Sequence, residues 1–175
     1  MKKLTCPDSV GIIGQYEFSG CYALEDIALS QNVTYNGVNA FRGEKLKPFE
    51  LPQTLEYIGT GNFNKEGFYS SRLPDKLTVI ESDSFAGSAF EGLLVLPENL
   101  ERLEMWAFWH CEIDEVIVPK SIKSFDIGAF GYDVYFEDSS GFITQYPNYY
   151  YCGTQADWEN VDIYRNESEY MPGIH

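Results

Sequence analysis

The chain has 175 residues, 44% of them apolar and 16% aromatic, with 27 acidic against 12 basic side chains and a net charge of −15. That length supports a core without disulfide staples. The charge lacks the basic footprint that nucleic-acid binding needs and disfavours anionic membranes, and no apolar run is long enough to span a bilayer.

The predicted elements repeat. A phenylalanine returns at Phe18, Phe41, Phe63, Phe85, Phe108 and Phe130, with gaps of 23, 22, 22, 23 and 22 residues. This period is too long for a helix or strand rhythm and is the size of one solenoid turn. The first turn reads Val10, Ile13, Phe18 and Cys21, then the apolar pair Ile27 and Leu29. The second has Val33 and Phe41, breaks the core pattern with Asn36, and continues to Phe49, Leu51 and Pro52. The third runs Leu55, Ile58, Phe63, with Ser71 where an apolar residue is expected, and then Pro74. The fourth is Leu77, Ile80, Phe85, Leu94, Leu96, Pro97, and the fifth Leu100, Leu103, Phe108, Cys111, Val116, Val118, Pro119. The sixth has Ile122, Phe125 and Phe130, with a strand near Val134–Phe136 that comes early.

An apolar pair separated by one residue has strand periodicity, and the proline after it fits a strand end. Each turn is therefore expected to contribute one short strand at the pair, with its other apolar residues turning inward on the return path. Stacked turns then bury a continuous core that no single turn can bury alone. The expected fold is a mainly β repeat solenoid, with a parallel sheet of short strands, loop or 3-10 return segments and a C-terminal cap. It forms one domain over residues 1–175, with repeats at about 9–137 and the cap at about 138–175. Phe142, Tyr146 and the run Tyr149-Tyr150-Tyr151 supply material to cover the last turn's open core.

Ser9 to Leu29, with Phe18-Ser19-Gly20-Cys21, and Leu100 to Pro119, with Ala107-Phe108-Trp109-His110-Cys111, resemble the BspA-type leucine-rich repeat. The tail Gly153-Thr154-Gln155-Ala156-Asp157-Trp158 resembles the Gly-Thr-x-x-x-Trp segment that often closes such arrays. The resemblance implies a leucine-rich solenoid that binds a ligand, usually a protein, and it implies no chemistry. Such repeats occur in bacterial surface proteins and adhesins.

Catalysis finds little support in the residues. His110 and His175 are the only histidines, and no nucleophile elbow or phosphate-binding loop is present. Cys21 and Cys111 share one repeat position four turns apart, beyond disulfide reach, and read as buried small hydrophobes. Cys6 and Cys152 lie near opposite ends, and no Cys-x-x-Cys spacing or close ligand pair suggests a metal. The expectation is therefore no enzyme activity, no cofactor and no metal.

Two groups of residues are candidate partner contacts. With the apolar pairs inward, the rows beside and between them face the concave side: Asp26, Pro48, Ser70, Leu93, Glu115 and Ala28, Glu50, Arg72, Val95, Ile117. Leu93, Val95 and Ile117 then lie side by side, edged by Glu115, as apolar neighbours with a charged rim. The second group is Trp106, Trp109 and His110 with Glu112 and Asp114. Trp106 stands where other turns have Tyr16, Asn39, Gly61, Asp83 and Gly128. Trp109 stands where they have Ser19, Arg42, Asn64, Ala86 and Gly131, and both positions read as solvent-facing. Tryptophan there suits a binding hot spot, and packing against a neighbouring turn is the competing role.

The charge is uneven: residues 1–97 hold 12 acidic and 8 basic side chains, residues 98–175 hold 15 and 4. Solubility is one reading and electrostatic fit to a basic protein partner is another. The functional expectation is a non-enzymatic protein-binding module that binds neither nucleic acid nor membrane directly. The alternative is an intracellular, phage-encoded acidic inhibitor that mimics a polyanion to block a basic nucleic-acid-binding protein. Lys2 and Lys3 have no apolar run behind them, so the chain as it stands reads as cytoplasmic. The alternative is a cell-surface or secreted protein whose leader has been removed.

Overall fold

The computed structural model describes residues 2–43, 46–64, 70, 72–135 and 142–164. Its spine is a seven-stranded parallel sheet in strict chain order: Ile12–Ile13, Tyr35–Asn36, Tyr57–Ile58, Val79–Ile80, Arg102–Leu103, Ser124–Asp126 and Asp162–Tyr164. Sequential order with parallel pairing means each turn stacks on the one before it. One residue of each strand faces the core. Ile13, Asn36, Ile58, Ile80, Leu103 and Phe125 are all at most 2% exposed.

A second wall follows the apolar pairs, and here the expectation needs correcting. Strands form at Asp26–Ala28, Glu91–Val95 and Glu112–Val118, but residues 46–52 form none. Pro48 and Pro52 remove two backbone donors there. The continuous sheet instead runs through the position five residues before each phenylalanine, which was expected to be return path. Two-residue strands suffice because every level repeats the same backbone bond. Gly37, Gly59 and Glu104, for instance, each donate their N–H to the carbonyl of Ile13, Asn36 or Ile80 one level back. Burial of the pairs follows expectation: Leu51, Leu94, Leu96, Val116 and Val118 are buried. Ser71 lies outside the described residues.

Between the walls the six phenylalanines form one ladder. Neighbouring rings are stacked 5.2–5.6 Å apart, from Phe18 through Phe41, Phe63, Phe85 and Phe108 to Phe130. Phe49 and Phe90 meet this ladder edge-on. Phe18, Val10 and Cys21 are only half-buried, because they belong to the first level, where one side of the turn meets solvent. Cys111 takes the role expected for both cysteines: it is buried, and its thiol donates to the Phe85 carbonyl.

The sixth level also differs from expectation. The strand Phe130–Tyr135 pairs with Phe108–Trp109 and turns back on Phe142–Gln145 as an antiparallel partner. Phe136 lies outside the described residues. The slot beside Glu112–Val118 is filled by Asn148–Tyr151. Tyr149 enters the core and meets the rings of Phe125 and Phe130. The Gly-Thr segment follows: Thr154 caps the short helix Gln155–Trp158, with Asp157 completing a capping box. Trp158 is thereby set against Tyr151 and Phe125.

Candidate interaction surfaces

Strands Glu91–Val95 and Glu112–Val118 carry the first candidate surface. Parallel register sets Leu93 opposite Glu115 and Val95 opposite Ile117. The next strand continues both rows, Asn148 opposite Glu115 and Tyr150 opposite Ile117. Leu94, Val116 and Tyr149 alternate inward, so Leu93 and Val95 stand out at 57% and 58% exposure. Ile117 and Glu115 are half-buried, and Tyr150 is exposed. Sequence reasoning missed Tyr150 by treating the tyrosine run as a cap. The signal was present: Tyr149 and Tyr151 are spaced like an apolar pair, with Tyr150 between them, as Val95 and Ile117 lie between theirs.

The rim of this face is acidic. Glu112 lies directly opposite Glu91, a like-charge pairing that costs stability. The register slips between Ile113 and Glu115, leaving Asp114 as an exposed bulge. Tyr150 donates its hydroxyl to Glu115 at 3.4 Å. Among the described residues, no ion pair neutralises Glu91, Glu112, Asp114 or Glu115. Two hollows of about 170 and 380 Å³ flank Arg72 beside this strand, one lined by Leu93 and Val95, the other by Val95 and Pro97.

The second candidate sits on the turn that leads into the same strand. Trp106 has a left-handed backbone, φ 59°, as do Tyr16, Asn39, Gly61 and Asp83 at the same repeat position. His110, φ 58°, stands where other turns have Gly20, Gly43 and Gly87, all with positive φ. These corners let the Trp106 N–H reach the Gly128 carbonyl and the His110 N–H reach that of Gly131. Bulky residues rarely adopt this conformation. Trp106 is 40% exposed. Trp109 departs from expectation: it is half-buried, its ring so close over Gly131 that a Cβ there would lie 2.9 Å away. Its competing role, packing against the next turn, is the observed one. His110 meets the Trp109 ring at 5.4 Å and, with Glu91 and Glu112, lines a hollow of about 290 Å³. The structure therefore brings His110 and Glu112 to the rim of the first surface, whereas the half-buried Trp109 ring packs over Gly131.

Burial pushes the Cys111 thiol up to about 12, well away from a reactive thiolate. Among the described residues, no three His, Cys, Asp or Glu side chains are grouped to hold a metal ion, and no helix is long and apolar enough to cross a membrane.

Stacked short strands, one phenylalanine per level and an outward face that varies from level to level define a leucine-rich solenoid. The chain belongs to the BspA type leucine rich repeat family, whose region it matches in six copies over residues 1–95 and 64–145. No curated protein matches it. Among solved structures it is similar to a leucine rich cell surface protein from Faecalibacterium prausnitzii A2-165, with 16% identity and a TM-score of 0.39. That alignment covers 93% of this chain, which spans 62% of the other protein's length.

Proposed function

We propose that this chain is a non-enzymatic protein-binding module that holds a basic partner on the outer face of strands Glu91–Val95 and Glu112–Val118. The observation that carries this reading is the stripe of exposed Leu93, Val95 and Tyr150 with half-buried Ile117, beside four carboxylates that form no ion pair among the described residues. An apolar centre with a charged rim matches the anatomy of a protein interface. A partner offering apolar side chains flanked by lysine or arginine would cover the centre and relieve the repulsion between Glu91 and Glu112. Trp106 and His110 lie on the turn entering this strand and extend the contact.

The test is an array of peptides with two apolar residues at alternate positions, flanked by Lys/Arg, by Asp/Glu or by Ser. Binding is read at 50 and 300 mM salt. The expected result is retention on Lys/Arg-flanked peptides only, weakened at least tenfold by salt and lost in the Leu93→Asp/Val95→Asp variant with unchanged circular dichroism. Retention regardless of flanking charge, or full retention by that variant, refutes the reading.

A further inference from the structure

We infer that residues 148–164 form a strap that opens and closes on the last repeat as one unit, and that its closing completes the interaction face proposed above. This contiguous segment supplies the terminal strand of both walls. Among the described residues, Asn148–Tyr151 pairs only with Glu112–Val118, and Asp162–Tyr164 only with Ser124–Asp126. The strap therefore leaves both sheets without breaking a bond between the remaining strands.

Few groups hold it. Tyr149 enters the core against Phe125 and Phe130, and Trp158 rests on Phe125 and Tyr151. The Cys152 N–H donates to the Val118 carbonyl at 2.9 Å, and the Asp162 N–H to that of Lys123 at 2.8 Å. Between these anchors the four-residue helix Gln155–Trp158 buries no residue. The Lys120–Asp157 ion pair lies at the surface, where such pairs contribute little. The seam is also imperfect. Leu94, Val116 and Tyr149 stand opposite one another in one inward row, and Tyr149 brings a hydroxyl into it. Among the described residues that hydroxyl has no hydrogen-bond partner, although Tyr149 is only 4% exposed. The Ser124 hydroxyl, on the strand that Asp162 pairs with, is orphaned as well. Both cost stability at the closed seam, whereas the third to fifth turns meet across Ile58, Ile80 and Leu103. Segments with few buried contacts open at a lower free energy than the rest of a fold.

The outward side of the strap belongs to the interaction face. Register sets Tyr150 opposite Ile117 and Asn148 opposite Glu115, and Tyr150 donates its hydroxyl to Glu115. With the strap open, Leu93, Val95 and Ile117 lose the ring that ends their stripe. A partner that touches Tyr150 binds the closed state more tightly, and by linkage it holds the strap shut by the same factor. Tyr149 points inward, so it is a positioning residue that acts on the partner through Tyr150. The coupling rests on the proposed function, whereas the opening itself does not.

The test is amide hydrogen exchange of the full chain by NMR, alone and with a Lys/Arg-flanked peptide of the array at about 100 times its dissociation constant. In the free chain the opening constants read at the Cys152 and Asp162 amides should agree within about tenfold. Both should exceed that of the Gly59 amide, bonded to Asn36 in the long sheet, at least about a hundredfold. Tyr149→Phe, which removes the orphaned hydroxyl and keeps the ring, should lower both at least about tenfold. The peptide should lower both by a further factor of about ten or more in the native chain, and by less than that in Tyr150→Ala at the same multiple of its own dissociation constant. Opening constants at Cys152 and Asp162 that differ by more than tenfold, that lie less than a hundredfold above that of Gly59, or that Tyr149→Phe moves less than tenfold overturn the strap. A peptide that protects Tyr150→Ala as strongly as the native chain overturns the coupling. If no peptide of the array binds, the proposed function fails, and exchange in the free chain decides the strap by itself.

Discussion

Asn36 is the place where this fold should be easiest to improve. It occupies the core row between Ile13 and Ile58 and is fully buried. Among the described residues, neither its amide nitrogen nor its amide oxygen has a hydrogen-bond partner. A buried polar group without a partner costs about 1–3 kcal/mol. Leucine has the same number of side-chain heavy atoms and the same branching, so Asn36→Leu removes that cost with little change of shape. The expected gain is about 2 kcal/mol. In a domain of this size each kcal/mol shifts the melting temperature by roughly 2–4 °C, so calorimetry should read a rise of about 4–8 °C. The reverse substitution one level on, Ile58→Asn, should cost at least about 3 kcal/mol, because it buries a second unpaired amide and removes apolar contact. A lower melting temperature for Asn36→Leu would refute the reasoning, since it would mean that the amide makes a bond that stabilises the native turn.

Three further outcomes follow from the geometry. At Trp106 the left-handed backbone reverses the usual order of substitutions: Trp106→Gly should be more stable than Trp106→Ala by about 1 kcal/mol, read as the difference in urea midpoint multiplied by the common slope. Phe85→Ala should cost about 3–5 kcal/mol, and Phe18→Ala clearly less, because Phe85 is stacked on both sides in the ladder whereas Phe18 is half-buried at its first level. Bonds from the Thr154 backbone and hydroxyl, with Lys120 at 3.2 Å, hold the Asp157 carboxyl below its usual 3.8. A lowered folded pKa gives stability present above the unfolded value and lost as pH falls through the folded one. The urea midpoints of the native chain and Asp157→Asn should therefore differ at pH 6 and converge as pH falls below the usual value. A constant difference would contradict the cap geometry.

Much of this structure was legible from one residue type. The phenylalanine ladder, the inward Val/Leu and Ile positions and the burial of the apolar pairs all follow from a 22–23-residue period, because stacking forces every level to bury the same positions. The sheet itself was misplaced because two-residue strands carry no alternation to read. Ile12-Ile13 and Tyr35-Asn36 become strands only through bonds to neighbouring levels, a tertiary effect invisible in either segment alone. The same reason hid Tyr150: its place beside Ile117 depends on which later segment fills the sixth slot. Leu93, Val95, Ile117 and Glu115 were legible because residues alternating with a buried pair must point outward. Trp109 is half-buried because its neighbour at the next level is Gly131, and a glycine leaves room for its ring, the packing role that the sequence held open.

The divergence between levels carries the functional argument. Inward positions hold Phe, Leu, Ile and Val at nearly every level because one core geometry is imposed on all of them. Outward positions are free of that constraint, so their departures from the repeat have another cause. His110 occupies a left-handed corner that glycine fills without strain at Gly20, Gly43 and Gly87, and Trp106 one that Gly61 fills without strain and that Tyr16, Asn39 and Asp83 share. Each side chain costs stability there. The next strand adds a like-charge pairing, Glu112 opposite Glu91, and exposes Val95 beside Ile117. These locally unfavourable choices fall on neighbouring turns of one solenoid. Stability alone would have selected against this arrangement, and the partner proposed above, covering apolar side chains and neutralising carboxylates, would supply the compensation.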